Sequence, residues 1–108
     1  MKYRLLLTAE ASRQLLETAR CNAEQSGSID VAVRWYDGFV ECLESLRDNP
    51  QDCALAREND LFPDDLRELH YGSGNRPTHR AIFHVVGEDV EVVCIRHHAQ
   101  QDLTLGDL

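Results

Sequence analysis

Apolar and polar side chains alternate from Tyr3 to Leu7, with Tyr3, Leu5 and Leu7 on one side and Arg4 and Leu6 on the other, which predicts a strand. The period then lengthens. Ala11, Leu15, Ala19 and Ala23 recur every four residues with Leu16 beside them, predicting a helix from a Thr8 cap to about Gln25. Glu10 in its first turn suits the positive end of the helix dipole. Gly27 can close this helix in a left-handed conformation, and Ser28 can cap the next. Ala32, Trp35, Phe39, Leu43 and Leu46 then stand three and four apart. They predict a second helix ending at Asp48-Asn49, because the residue before Pro50 avoids helical angles. With so short a link, the two helices should fold back as an antiparallel hairpin.

Gln51 to Asp65 shows no period and reads as a loop, with one helical turn near Ala54 to Glu58. Three strands follow: Leu66 to Tyr71, then Arg80 to Val86 after the Gly72–Asn75 turn, then Val90 to His97. The tail from Ala99 to Leu108 is polar with scattered leucines. The expected fold class is α+β in the order β-α-α-β-β-β, an antiparallel sheet packed on a helical hairpin. Residues 1–108 read as a single domain, without repeats or a second-domain linker.

The register of the last two strands decides which side chains share a face. A three-residue loop, Gly87 to Asp89, would pair Val86 with Val90. It would set Ala81, Phe83 and Val85 beside Glu91, Val93 and Ile95, a mostly apolar surface for the hairpin. The opposite, open face would then gather Arg80, His84, Arg96 and His98. A two-residue loop would mix these sets.

Charge narrows the functional classes. Nineteen acids against eleven bases leave the chain at −8, and Lys2 is its only lysine. A protein that neutralises nucleic-acid phosphates usually shows a basic surplus, so any basic surface here must be local. One such segment is present: between Leu66 and Val86, Arg67, Arg76 and Arg80 outnumber the single acid Glu68. Guanidiniums suit phosphate or carboxylate, and imidazoles move protons near neutral pH, which makes an anion or phosphodiester site chemically reasonable on this face. No apolar run approaches the ~20 residues of a membrane span, and the first residues lack a secretory cleavage site. The expected setting is the cytoplasm, with no membrane partner. Cys21, Cys42, Cys53 and Cys94 form no C-x-x-C pair and read as reduced thiols. The five histidines, His70, His79, His84, His97 and His98, show no ligand spacing, so neither a metal nor another cofactor is expected.

Three runs together resemble the RelE/ParE superfamily of toxins from type II toxin–antitoxin modules: Leu66-Arg67-Glu68-Leu69-His70-Tyr71-Gly72, His79-Arg80-Ala81-Ile82-Phe83, and Val92-Val93-Cys94-Ile95-Arg96-His97-His98. The opening Tyr3-Arg4-Leu5-Leu6-Leu7-Thr8 and a second helix ending shortly before Pro50 fit the same pattern, so the resemblance covers almost the whole chain. It implies a growth-inhibiting toxin neutralised by a cognate antitoxin that wraps around it. ParE-like members poison DNA gyrase and cut nothing. RelE-like members enter the ribosomal A site and cut mRNA with the RNA 2′-hydroxyl as nucleophile.

On the nuclease reading, the resemblance assigns Arg80 to the strained phosphate, His98 to proton exchange and Glu58 to the general base. Arg96 would add phosphate affinity, and Arg67 and His84 complete the substrate- or partner-binding set. The missing lysine-rich surface and the long helical hairpin favour the ParE-like branch, a gyrase inhibitor. An mRNA endonuclease is the closest alternative, and an inactive toxin fold kept as a binding module is the third.

Overall fold

A computed structural model of the chain describes residues 2–59, 65–72 and 78–97. Its order is β1 (Arg4–Leu7), α1 (Ala9–Ser26), α2 (Ile29–Glu44), β2 (Arg67–Tyr71), β3 (His79–Val86) and β4 (Asp89–His97). The α+β order therefore stands as the sequence predicts. Thr8 caps α1: its hydroxyl accepts from the Ala11 N–H at 3.1 Å and donates to the Val93 carbonyl at 3.3 Å. One residue thus starts the helix and ties it to β4. Gly27, at φ +70, ends α1 with its N–H on the Ala23 carbonyl, and the Ser28 hydroxyl caps α2.

The second helix stops earlier than its apolar spacing suggests. Its α-helical bonds end at Glu44, and Ser45–Arg47 tightens into a 3₁₀ turn that still buries Leu46. The Ser45 hydroxyl donates to the Cys42 carbonyl at 2.6 Å, which also accepts the Ser45 backbone N–H, so one residue closes the helix end twice over. The turn holds β1 in place, with Tyr3 N–H donating to the Arg47 carbonyl at 2.7 Å.

The strands lie in the order β1-β4-β3-β2. The β2–β3 and β3–β4 pairs are antiparallel, as expected, but β1 runs parallel to β4. The hairpin, β2 and β3 all intervene between those two, giving the long connection a parallel pair needs.

The β3–β4 turn corrects the expected register. Only Gly87 and Glu88 lie between the strands, and Val86 faces Asp89. Within this turn only Gly87, the first central position, has a positive φ, at +60, as a II′ hairpin requires. This tighter loop puts Val90 and Val92, rather than Glu91 and Val93, against the helices. A bulge then resets the parity: Phe83 pairs with Val92, but Ile82 pairs with Cys94, leaving Val93 as the extra residue. Beyond it Ile95 returns to the helix side opposite Ala81, and Arg96 lies opposite Arg80. Loop and bulge are compensating shifts, so the far half of β4 matches the expected faces and the near half does not.

Each face of the sheet carries a core. Leu15, Phe39, Leu43, Phe83, Val92 and Ile95 are among the residues buried between the helices and the sheet. On the other face Ala56, Leu66, Ile82 and Cys94 form a smaller cluster with Val93 against it. That face is therefore not open. The segment Cys53–Asn59 crosses it, with Leu55 bridged to Arg67, Ala56 N–H on the Leu66 carbonyl at 2.8 Å and Glu68 N–H on the Ala54 carbonyl at 3.0 Å. These extended contacts replace the helical turn expected near Ala54 to Glu58. The first turn bond is later, from Asn59 N–H to the Ala56 carbonyl at 3.0 Å.

Candidate functional site

Alternation places Arg80 and His84 on the face of β3 away from the helices, and the bulge brings Arg96 to the same face of β4. The covering segment changes what this face offers. Arg80 is 1% exposed, and Glu58, equally buried, grips it with both carboxylate oxygens at 2.7 and 2.5 Å. Glu68 on β2 adds a third bond to the same guanidinium at 2.8 Å and touches His70 at 3.0 Å. The two carboxylates raise the Arg80 pKa above its usual value against the opposing effect of burial, so the side chain stays charged at any accessible pH. His84 pairs with Glu91 across the β3–β4 ladder at 2.7 Å.

Of the six residues assigned to a site, Glu58 and Arg80 meet, and His84 and Arg96 share their face. Arg67 does not join them. It lies opposite Phe83 in register, on the helix side of the sheet, where its guanidinium donates to the Cys53 carbonyl at 2.6 Å. His98 lies outside the described residues, as does Arg76.

A second feature has its signal spread over three elements. A groove of about 820 Å³ opens between the polar flank of α1 and the far ends of β3 and β4, with Gln14, Thr18, Trp35, His79, Ile95 and His97 among its walls. The Gln14 carboxamide oxygen accepts the Ile95 N–H at 2.7 Å, pinning α1 to β4 beyond the point where β1 has ended. His97 stands edge-on to His79 at 5.0 Å, His79 to Trp35 at 5.2 Å, and Trp35 to Phe39 at 5.4 Å. An aromatic chain therefore runs from the core to the groove mouth. Alternation already sends His97 away from Arg96, but Trp35 reads as a core residue of α2, and nothing local links it to the histidines.

Cys21 also lines the groove and is the exposed thiol among the four cysteines. Burial pushes the Cys94 thiol above its ordinary range despite the Arg96 guanidinium beside it, and burial likewise raises Cys42 and Cys53. Since the thiolate is the reactive form, brief iodoacetamide treatment at pH 8 should modify Cys21 first, by peptide mass spectrometry. Cys94 should react only after denaturant is added; labelling of native Cys94 at the rate of Cys21 would contradict its burial.

Two helices fold over one face of a sheet with strand order β1-β4-β3-β2. The profile of the ParE toxin of type II toxin-antitoxin system, parDE, matches residues 5–102. The chain belongs to the ParE toxin family. Among solved structures it is similar to a chain of the chromosomal ParDE TA system from P. aeruginosa, with a TM-score of 0.70 and 21% identity over 89% of this chain and 96% of that one. At that identity the likeness is one of fold. No curated protein matches the chain in sequence. In this ParE-family chain no described helix is long and apolar enough to cross a membrane. Among the described residues, no three histidine, cysteine or acidic side chains stand together as a metal site.

Proposed function

We propose that residues 1–108 act as one toxin domain of a type II toxin–antitoxin module, working in the cytoplasm by inhibiting DNA gyrase and silenced by a cognate antitoxin. Membership of the ParE family supports the toxin role. The observation that carries the choice of target is the state of Arg80. A phosphodiester cleavage mechanism needs that guanidinium at the reacting phosphate, yet it is 1% exposed, with Nη1 and Nη2 both held by the carboxylates of Glu58 and Glu68. The groove beside the helical hairpin is the proposed antitoxin seat, since an amphipathic segment could rest on Trp35, Ile95 and His97 while the amides of α1 meet its polar side.

The test offers purified protein separately to a gyrase supercoiling reaction and to translating ribosomes. Inhibited supercoiling with intact mRNA is the expected result. Codon-positioned mRNA cleavage that disappears in folded Arg80→Lys and His98→Ala proteins would overturn it in favour of the endonuclease alternative. Growth arrest on induction should be relieved by co-expressing the small reading frame beside the gene. Harmless induction would instead support the binding-module reading.

A further inference from the structure

β1 is an edge strand, with β4 on one side of it. Arg4 N–H donates to the Glu88 carbonyl at 2.9 Å and Thr8 N–H to the Val92 carbonyl at 3.0 Å. Alternation therefore turns the backbone groups of Arg4, Leu6 and Thr8 toward β4 and those of Leu5 and Leu7 away from it. Among the described residues, the N–H and C=O groups of Leu5 and Leu7 meet no partner. α1 packs mainly over β4, inward of this edge, and the 3₁₀ turn is bonded to the chain at Tyr3, before the strand begins. Such an edge is a template for another strand. Leu5 and Leu7 pack toward the helices, while Leu6 between them is 42% exposed on the opposite face.

We propose that β1 is a homodimer interface, in which the β1 of a second copy pairs antiparallel about a twofold axis at Leu6 and joins two four-stranded sheets into one. The symmetry of the edge selects this occupant. Its open residues stand one on each side of Leu6, so an antiparallel copy sets Leu5 opposite the partner's Leu7 and Leu7 opposite the partner's Leu5. Each pair exchanges two N–H···O bonds, which satisfies every open group of both edges. Leu6 then meets the partner's Leu6 in the closer, non-hydrogen-bonded pair, with Cα atoms about 4.5 Å apart, and each exposed side chain covers the other. The charges permit the approach. Arg4 falls opposite the partner's Thr8, which is neutral, and keeps Asp89 at 2.7 Å. Glu91, beside Leu6 on β4, bonds His84 at 2.7 Å. It would stand three strand spacings, about 14 Å, from the partner's Glu91, beyond the ~8 Å screening length at physiological salt. Each copy carries −8, so pairing should tighten as salt screens the remaining repulsion. The pairing is independent of the target the toxin takes.

Sedimentation velocity of the full chain, over a concentration series at about 50 and about 500 mM salt, reads the mass directly. Wild type should move from one chain, 12.3 kDa, toward two as concentration rises, and further at the higher salt. Leu6→Lys alters an exposed side chain, so it should keep its circular dichroism spectrum and stay at one chain throughout. The pairing register is read separately in Cys21→Ser protein, which lacks the exposed thiol. There Leu6→Cys should form a disulfide with its twin on addition of oxidised glutathione, because about 4.5 Å between Cα atoms lies within disulfide reach. Arg4→Cys should not, since the two copies of that position lie four residues out of step, about 13 Å along the strand. A wild-type chain that stays single at every concentration overturns the proposal and leaves the edge to a strand from another protein. Dimers that persist in Leu6→Lys, or cross-linking of Arg4→Cys as fast as Leu6→Cys, overturn the twofold at Leu6.

Discussion

Arg80→Met should destabilise the protein by about 3–5 kcal/mol, seen as a lower urea midpoint with an unchanged slope. Methionine fits the volume, so the loss is electrostatic. Its removal strands the Glu58 carboxylate, whose side chain is 0% exposed, and takes a partner from Glu68 at 10%. The charge of a buried carboxylate is costly unless it is paired and hydrogen-bonded. The double variant Glu58→Leu/Arg80→Met should recover much of the loss, because an apolar pair of similar size replaces a buried ion pair at little cost. Glu68 then keeps His70, 3.0 Å away near the surface. A single-variant loss below about 1 kcal/mol would mean that water reaches these carboxylates freely. The same result would weaken the case against cleavage chemistry, since a hydrated Arg80 could also meet a phosphate.

The importance of Glu58 shows how far the chain could be read in advance. The strand, the helical hairpin and the three later strands were legible because each rests on a local period with its own cap or turn residue. Thr8, Gly27 and Ser28 mark helix ends by chemistry that needs no distant partner. The β3–β4 register was not legible, because Gly87-Glu88-Asp89 serves a two-residue or a three-residue loop equally well. Only the bulge at Val93, a long-range consequence of packing Val92 and Ile95 against the same helices, reconciles the tight turn with the core. The covered face escaped for a related reason. Cys53–Asn59 has no hydrophobic period because it contributes one buried apolar residue, Ala56, and one buried acid, Glu58, to a core made elsewhere. An acid in an aperiodic loop reads as solvated, and its partner lies 22 residues further on. Glu58 and Arg80 were legible as a pair of interest only through resemblance. Resemblance gave them a chemical role without showing that they bind each other.

Gly38→Ala should destabilise by about 1–2 kcal/mol, although in an exposed helix the same change gains about 1 kcal/mol. A Cβ at Gly38 would stand 2.3 Å from the Tyr71 hydroxyl and 3.3 Å from the ring carbon that bears it. The ring cannot simply swing away. It stacks on Phe39 at 4.5 Å, and its hydroxyl donates to the Trp35 carbonyl at 3.1 Å. The two contacts rank the remedies. Tyr71→Phe alone should cost about 1 kcal/mol for the lost hydrogen bond. In that background the 2.3 Å contact vanishes with the hydroxyl, and the remaining 3.3 Å contact needs only a shift of a few tenths of an ångström. Gly38→Ala should then be neutral or slightly stabilising, so the double-mutant cycle should show coupling of about 1–2 kcal/mol. Additive losses in thermal or urea unfolding would show that the Tyr71 ring yields easily. Coupling would instead identify Gly38 as the space that lets Tyr71 fix the Trp35 backbone, and with it the aromatic wall of the groove. In that case folded Gly38→Ala protein should also show a shifted fluorescence maximum for Trp35, the only tryptophan in the chain.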